Sequence, residues 1–205
     1  MRCIRMITTL RPAQCPSFRP AAQMRLFFQE SLYGEGDAVY KGVDFSAGVD
    51  FGDSVYAVAD GRGVDVQDQR PNNCHPTEPG RPRCPVWGNY VLIQHDERHY
   101  DRTEGQMAYV YSLNLHLQQN HVFVAEGQNV NQGDLIAQAD NTGNSYGDHL
   151  HLQIMLHPEA NREIEPLNTL ESETRSRNPE PWLNPYPNTA TAIGKVTDAD
   201  GNAVR

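Results

Sequence analysis

The chain has 205 residues, enough for one main domain with appendages, and its 38% hydrophobic share can build a single core. A formal net charge of −9 without any basic run excludes a nucleic-acid footprint and disfavours simple adhesion to anionic surfaces. No apolar run approaches the length that crosses a bilayer as a helix, so no transmembrane segment is predicted.

The chain carries 16 glycines and 14 prolines and no long apolar stripe of helical period, which predicts short strands joined by turns. Residues 1–38 read as an irregular N-terminal segment marked by Pro12, Pro16 and Pro20, with residues 24–28 as its one candidate strand. The first ten residues are too short and too interrupted for an ordinary signal h-region, so export would have to be encoded elsewhere or by an atypical leader.

Residues 39–157 read as the principal domain. Alternation over 39–45 predicts a strand, a second follows over 54–59, and Asp60-Gly61 supplies a tight-turn signal before a third over 63–67. Cys74 and Cys84 then bracket a proline-rich loop with little to hold its shape. A disulfide between them is predicted, and with it an oxidising setting, extracellular or periplasmic. Cys3 and Cys15 form the other local pair.

Strands are next predicted over 87–95 and 108–117, separated by a polar turn over 96–105, and then over 135–139. Along 108–117, Tyr111, Leu113, Leu115 and Leu117 share one parity, while Ser112, Asn114 and His116 share the other. A glycine-punctuated polar loop over 140–147 leads into His149-Leu150-His151-Leu152-Gln153-Ile154, whose strict period of two marks a half-buried strand. Both imidazoles therefore project from one surface. Such a pair suits a metal site, because neutral imidazole ligates zinc and a neighbouring histidine handles protons; an exposed strand face that carries two histidines fits the periodicity equally well. The architecture implied is all-β, an antiparallel β-sheet core with little or no helix.

Residues 158–187 read as a polar, proline-marked tail wrapped on the body. Residues 188–205 look like a strand, a turn through Asp198, Asp200 and Gly201, and the start of a partner strand. That pattern resembles the opening of a small β-sandwich module of the carboxypeptidase-regulatory type, so a further C-terminal β domain is expected. A plain turn accounts for Asp198 and Asp200 better than an incomplete calcium loop does.

Tyr40-Lys41-Gly42-Val43-Asp44, Leu113-Asn114-Leu115-His116-Leu117 and His149-Leu150-His151 together resemble the three signatures of the lysostaphin/LytM-type zinc metallopeptidases, which cleave peptide cross-links in peptidoglycan. The similarity continues in order through residues 55–61, Gly88-Asn89-Tyr90-Val91, Gly127-Gln128 and Asn141-Thr142-Gly143. The resemblance implies the family's duplicated, barrel-sandwich-like β fold. It also implies a zinc ion held by Asp44 and His151, with His116 and His149 flanking the reacting water as proton-handling and oxyanion-stabilising catalytic residues.

One position departs from the pattern: Tyr40 stands where the family has its first ligand histidine. A phenol titrates near pH 10, so ligation requires the metal to displace a proton. Three outcomes follow: Tyr40 binds as phenolate, His75 or His99 replaces it from a loop, or the site is inactive. His95, at a strand end, is expected to support the fold, and His121 and His157 have no assigned partner. The leading expectation is a zinc endopeptidase acting on peptidoglycan or another glycine-rich peptide. The alternatives are a non-catalytic peptidoglycan- or partner-binding module and a structural module of a larger surface protein.

Overall fold

A computed structural model describes residues 42–46, 49–72, 87–102, 104–162, 175–177 and 179. The expected N-terminal segment, Tyr40, all four cysteines with their predicted disulfide, His75 and the C-terminal module of 188–205 lie outside these residues. Among the described residues no helix is long and apolar enough to cross a membrane.

The protein is all-β and antiparallel. Its strands are β1 (Val43–Phe45), β2 (Ser54–Tyr56), β3 (Gly61–Gln67), β4 (Asn89–Asp101), β5 (Gln106–Val122), β6 (Asn129–Val130), β7 (Leu135–Ala139), β8 (Leu150–His157) and β9 (Ser176–Arg177). The sheet runs β1-β8-β5-β4-β3-β6, with β7 bridging β5 to β2 and β9 lying beside β8. β4 and β5 outrun expectation. The stretch expected to turn at 96–105 stays extended as far as Asp101 and turns only beyond it, because Arg98, His99, Tyr100 and Asp101 pair with Tyr109, Ala108, Met107 and Gln106. Cross-strand hydrogen bonds thus override the polar composition that suggested a loop.

Two apolar layers sandwich the sheet. On one side Val110, Leu152, Ile154 and Leu156 form a core; on the other Tyr90, Leu92, Tyr111, Leu113, Leu115 and Met155 form a second. Strand β8 is therefore buried on both faces beyond His151, and the half-buried strand expected from its alternation holds only at its start. The parity assigned to β5 also changes. Ser112 and Asn114 are buried rather than outward, and Leu117 leaves the Leu113–Leu115 side to join Val91, Ile93 and Ile136. The switch at Leu117 has its cause in the residue before it: His116 adopts a left-handed φ of 63°, and the β4–β5 register slips between Asn89 and Tyr90. A single left-handed residue reverses the alternation beyond it.

His95 supports the fold as expected. It is buried, with Nε2 2.9 Å from Ser112 Oγ and Nδ1 3.1 Å from the Asp60 carbonyl. A carbonyl only accepts, so Nδ1 carries the proton and Nε2 accepts from the serine hydroxyl. Burial holds the His95 pKa down at about 4, against 6.5 for a free imidazole. Between these values the unfolded chain binds a proton that the folded one refuses. The contribution is complete above pH 6.5 and is lost as pH falls through about 4, a loss of about 2–3 kcal/mol by about pH 4.5. Urea unfolding at about pH 7.5 and about pH 4.5 is expected to register this loss in the wild type and a shallower decline in His95→Gln; equal declines in the two proteins reject the assignment.

Candidate active site

Strands β1 and β8 place Asp44 directly opposite His151 in their antiparallel register, so the carboxylate and the imidazole meet without help from any loop. Asp44 Oδ1 lies 2.8 Å from His151 Nδ1. A carboxylate can only accept, so His151 Nδ1 donates here. The other edge of the His151 ring packs on Gly42: a Cβ at residue 42 would stand 2.6 Å from His151 Nε2 and 2.6 Å from the Leu152 carbonyl oxygen. Glycine is thus required at position 42 by close approach.

His149 precedes β8 and bridges to Asp140 in the strand direction. Its Nδ1 sits 2.8 Å from the Gly147 carbonyl and 3.1 Å from Ser145 Oγ, and the Ser145 hydroxyl itself donates to the same carbonyl at 3.1 Å. Nδ1 therefore carries the proton, and Nε2 turns toward Asp44, 3.8 Å from Oδ1. His149 and His151 do share one surface, as the strand periodicity predicted.

His116 joins them from β5. Its ring centre is 4.7 Å from that of His149 and 6.3 Å from that of His151. The left-handed backbone, not strand parity, aims it there. Its Nδ1 lies 2.7 Å from the Thr142 carbonyl, so this ring too carries its proton on Nδ1 and leaves Nε2 as an acceptor. Burial first, and the adjacent His149 imidazole second, push its pKa down to about 3, against the opposing pull of the Thr142 carbonyl. The loop over 140–147 thus orients two imidazoles alike, through Thr142 for one and Gly147 with Ser145 for the other. Sequence reading matched Thr142 and Gly143 to a motif without assigning them this task, and it passed over Ser145.

Among the described residues the other histidines stand apart from this cluster. His99 is exposed on the outer part of β4, with Nδ1 3.1 Å from the Tyr100 carbonyl, and His121 and His157 accept or donate locally to Gln119 and Glu159. Among the described residues no group of three His, Cys, Asp or Glu side chains is arranged to hold a metal ion. Asp44 and His151 bring together one carboxylate oxygen and one imidazole nitrogen, of the kinds zinc takes once the proton between them is displaced.

An antiparallel β scaffold thus gathers one carboxylate and three imidazoles at a strand junction. The chain belongs to Peptidase family M23, which matches over residues 38–166, more than half of its length. Among solved structures it is similar to the catalytic domain of the antimicrobial peptidase lysostaphin from Staphylococcus simulans, at 21% identity over 73% of this chain and 82% of that one, with a TM-score of 0.46. LytU is similar at 21% identity over 82% of this chain and 89% of that one, with a TM-score of 0.50. A mutant catalytic domain of the prophage-encoded M23 protein EnpA from Enterococcus faecalis is similar at 17% identity over 82% and 95%, with a TM-score of 0.47. At such identities the likeness concerns the fold alone. No curated protein matches the chain.

Proposed function

We propose that this chain is a zinc-dependent endopeptidase acting outside the cytoplasm on the peptide cross-links of peptidoglycan. Membership of Peptidase family M23 supports a peptidase, and the resemblance of the residue 40–44, 113–117 and 149–151 motifs to the lysostaphin/LytM-type signatures supports the substrate class. The observation that carries the reading is the meeting of Asp44, His116, His149 and His151, drawn from three strands and one loop end, within a few ångströms.

Asp44 and His151 would hold zinc with position 40 as the third site, and the bound ion supplies Lewis acidity and a nucleophile available at neutral pH. The chain's own groups do the rest. Because His116 Nδ1–H is committed to Thr142 and the ring stays neutral, its Nε2 accepts a hydrogen bond from the attacking water and fixes its direction. His149, held in the same tautomer by Gly147, takes the water proton on Nε2, hydrogen-bonds the developing oxyanion through that N–H, and finally transfers the same proton to the leaving amine.

Purified protein with added zinc is expected to cleave cross-linked muropeptides, read by mass spectrometry, and His149→Ala is expected to lower kcat by about 10²–10⁴-fold with little change in KM. Intact substrate at every zinc concentration removes the enzyme reading. A second reading is favoured by Tyr40 itself: a groove that binds peptidoglycan peptide without cutting it. Retention of the protein on insoluble peptidoglycan without release of fragments selects that reading.

A further inference from the structure

We infer that Asn89 and Thr142 form a buried clamp that positions His116, and that they are positioning residues of the reaction proposed above, on which their functional meaning rests. Neither residue is exposed to solvent. Thr142 makes three hydrogen bonds around the base of His116. Its hydroxyl donates to the Leu117 carbonyl at 2.6 Å, its hydroxyl oxygen accepts the Asn89 backbone N–H at 3.0 Å, and its carbonyl accepts His116 Nδ1–H at 2.7 Å. Asn89 closes the structure from the neighbouring strand. Its Nδ2 donates to the Leu117 carbonyl at 3.2 Å and to the Arg70 carbonyl at 2.8 Å, while its Oδ1 accepts the Arg70 N–H at 2.9 Å.

The clamp answers a conformational problem. His116 is a non-glycine residue in left-handed backbone, at the point where the β4–β5 register slips, and such a residue persists where its surroundings over-determine it. The Leu117 carbonyl, immediately after the bend, is held by both clamp residues; the His116 N–H reaches the Trp87 carbonyl at 3.2 Å, and the His116 carbonyl takes the Asp140 N–H at 3.1 Å. Gly88 shows how tightly the parts fit, since a Cβ there would lie 2.3 Å from the Thr142 carbonyl oxygen. The carbonyl that fixes the His116 tautomer is therefore itself fixed, by a hydroxyl and an amide that touch no substrate. A purely structural network would tie strand to loop; this one also selects which imidazole nitrogen carries the proton.

The His116 tautomer, read from long-range nitrogen–proton NMR correlations on metal-free protein near neutral pH, tests the clamp without reference to catalysis. Wild-type His116 is expected as a single Nδ1–H tautomer, and an Nε2–H form in the wild type overturns the proposal with no variant needed. Thr142→Val is expected to give a mixture of tautomers, and Thr142→Ser, which keeps the hydroxyl, to restore the single form. Should Thr142→Val not fold, Asn89→Ala, which keeps the N–H bond to Thr142 and loses only the side-chain braces, is expected to broaden or shift the same signals. A folded Thr142→Val or Asn89→Ala with the wild-type His116 spectrum overturns the proposal. Where the wild type cleaves peptide, Thr142→Val is expected to lower kcat about tenfold or more at constant KM, with Thr142→Ser recovering it. A wild type that lacks peptidase activity but shows the expected tautomers removes the functional reading and leaves the clamp standing.

Discussion

Tyr40→His is expected to raise zinc affinity about a hundredfold and to raise peptide cleavage with it. A structural zinc site supplies about 10–16 kcal/mol in all, so a lost protein ligand forfeits a few kcal/mol, and about 3 kcal/mol corresponds to about two powers of ten in the dissociation constant. The register of β1 and β8 already brings Asp44 and His151, the two proposed ligands, into contact, so an imidazole at position 40 is expected to add the family's third donor to that pair. Chelator competition on purified protein measures the affinity, and zinc retained after dialysis gives the stoichiometry. Tyr40→Phe separates the causes. If Tyr40 ligates as phenolate, the phenylalanine variant binds zinc more weakly than the wild type, and the histidine variant gains little. Equal affinity in all three proteins shows that position 40 takes no part in the site.

The sequence disclosed the parts of this molecule that depend on local periodicity. The alternation at residues 149–154 located β8 and put His149 and His151 on one side, because a pleated strand leaves the side chains no other choice. Motif order gave Asp44 and His116 as their companions, and the cross-strand register confirms that Asp44 and His151 face each other. Strand parity groups His116 with Ser112 and Asn114 but does not itself aim it at the other imidazoles. Alternation assumes an unbroken strand, and the left-handed residue that turns His116 toward the other imidazoles is invisible to a period of two. The orienting acceptors were out of reach for a different reason. The Thr142 and Gly147 carbonyls belong to the backbone, so no side-chain pattern encodes their direction, and only the loop's path from Asp140 to His149 puts them under the rings. Likewise, the burial of Ser112, Asn114 and Gln153 comes from sheet layers on both faces, which composition does not reveal.

Gly42→Ala is expected to destabilise the fold by about 1–3 kcal/mol and to lower activity and zinc retention by about a hundredfold, although glycine and alanine differ by one methyl group. The added Cβ would lie 2.6 Å from His151 Nε2, 2.8 Å from His151 Cε1 and 2.6 Å from the Leu152 carbonyl oxygen. An imidazole alone could turn aside. The Leu152 carbonyl cannot, because Leu152 is held in strand register by Val43 on one side and Asn114 on the other. Relief therefore requires β1 to move away from β8, and that movement pulls Asp44 from the 2.8 Å contact with His151 on which the site is built. Gly147→Ala is the control for stability alone, since nothing stands within 4 Å of a Cβ at that position; its unfolding midpoint is expected to stay within about 0.5 kcal/mol of the wild type. Denaturant unfolding and zinc retention measured on the same samples decide the case. A Gly42→Ala protein as stable as the wild type, and still holding zinc, shows that residue 42 does not set the approach of β1 to His151, and the geometric basis of the site fails with it.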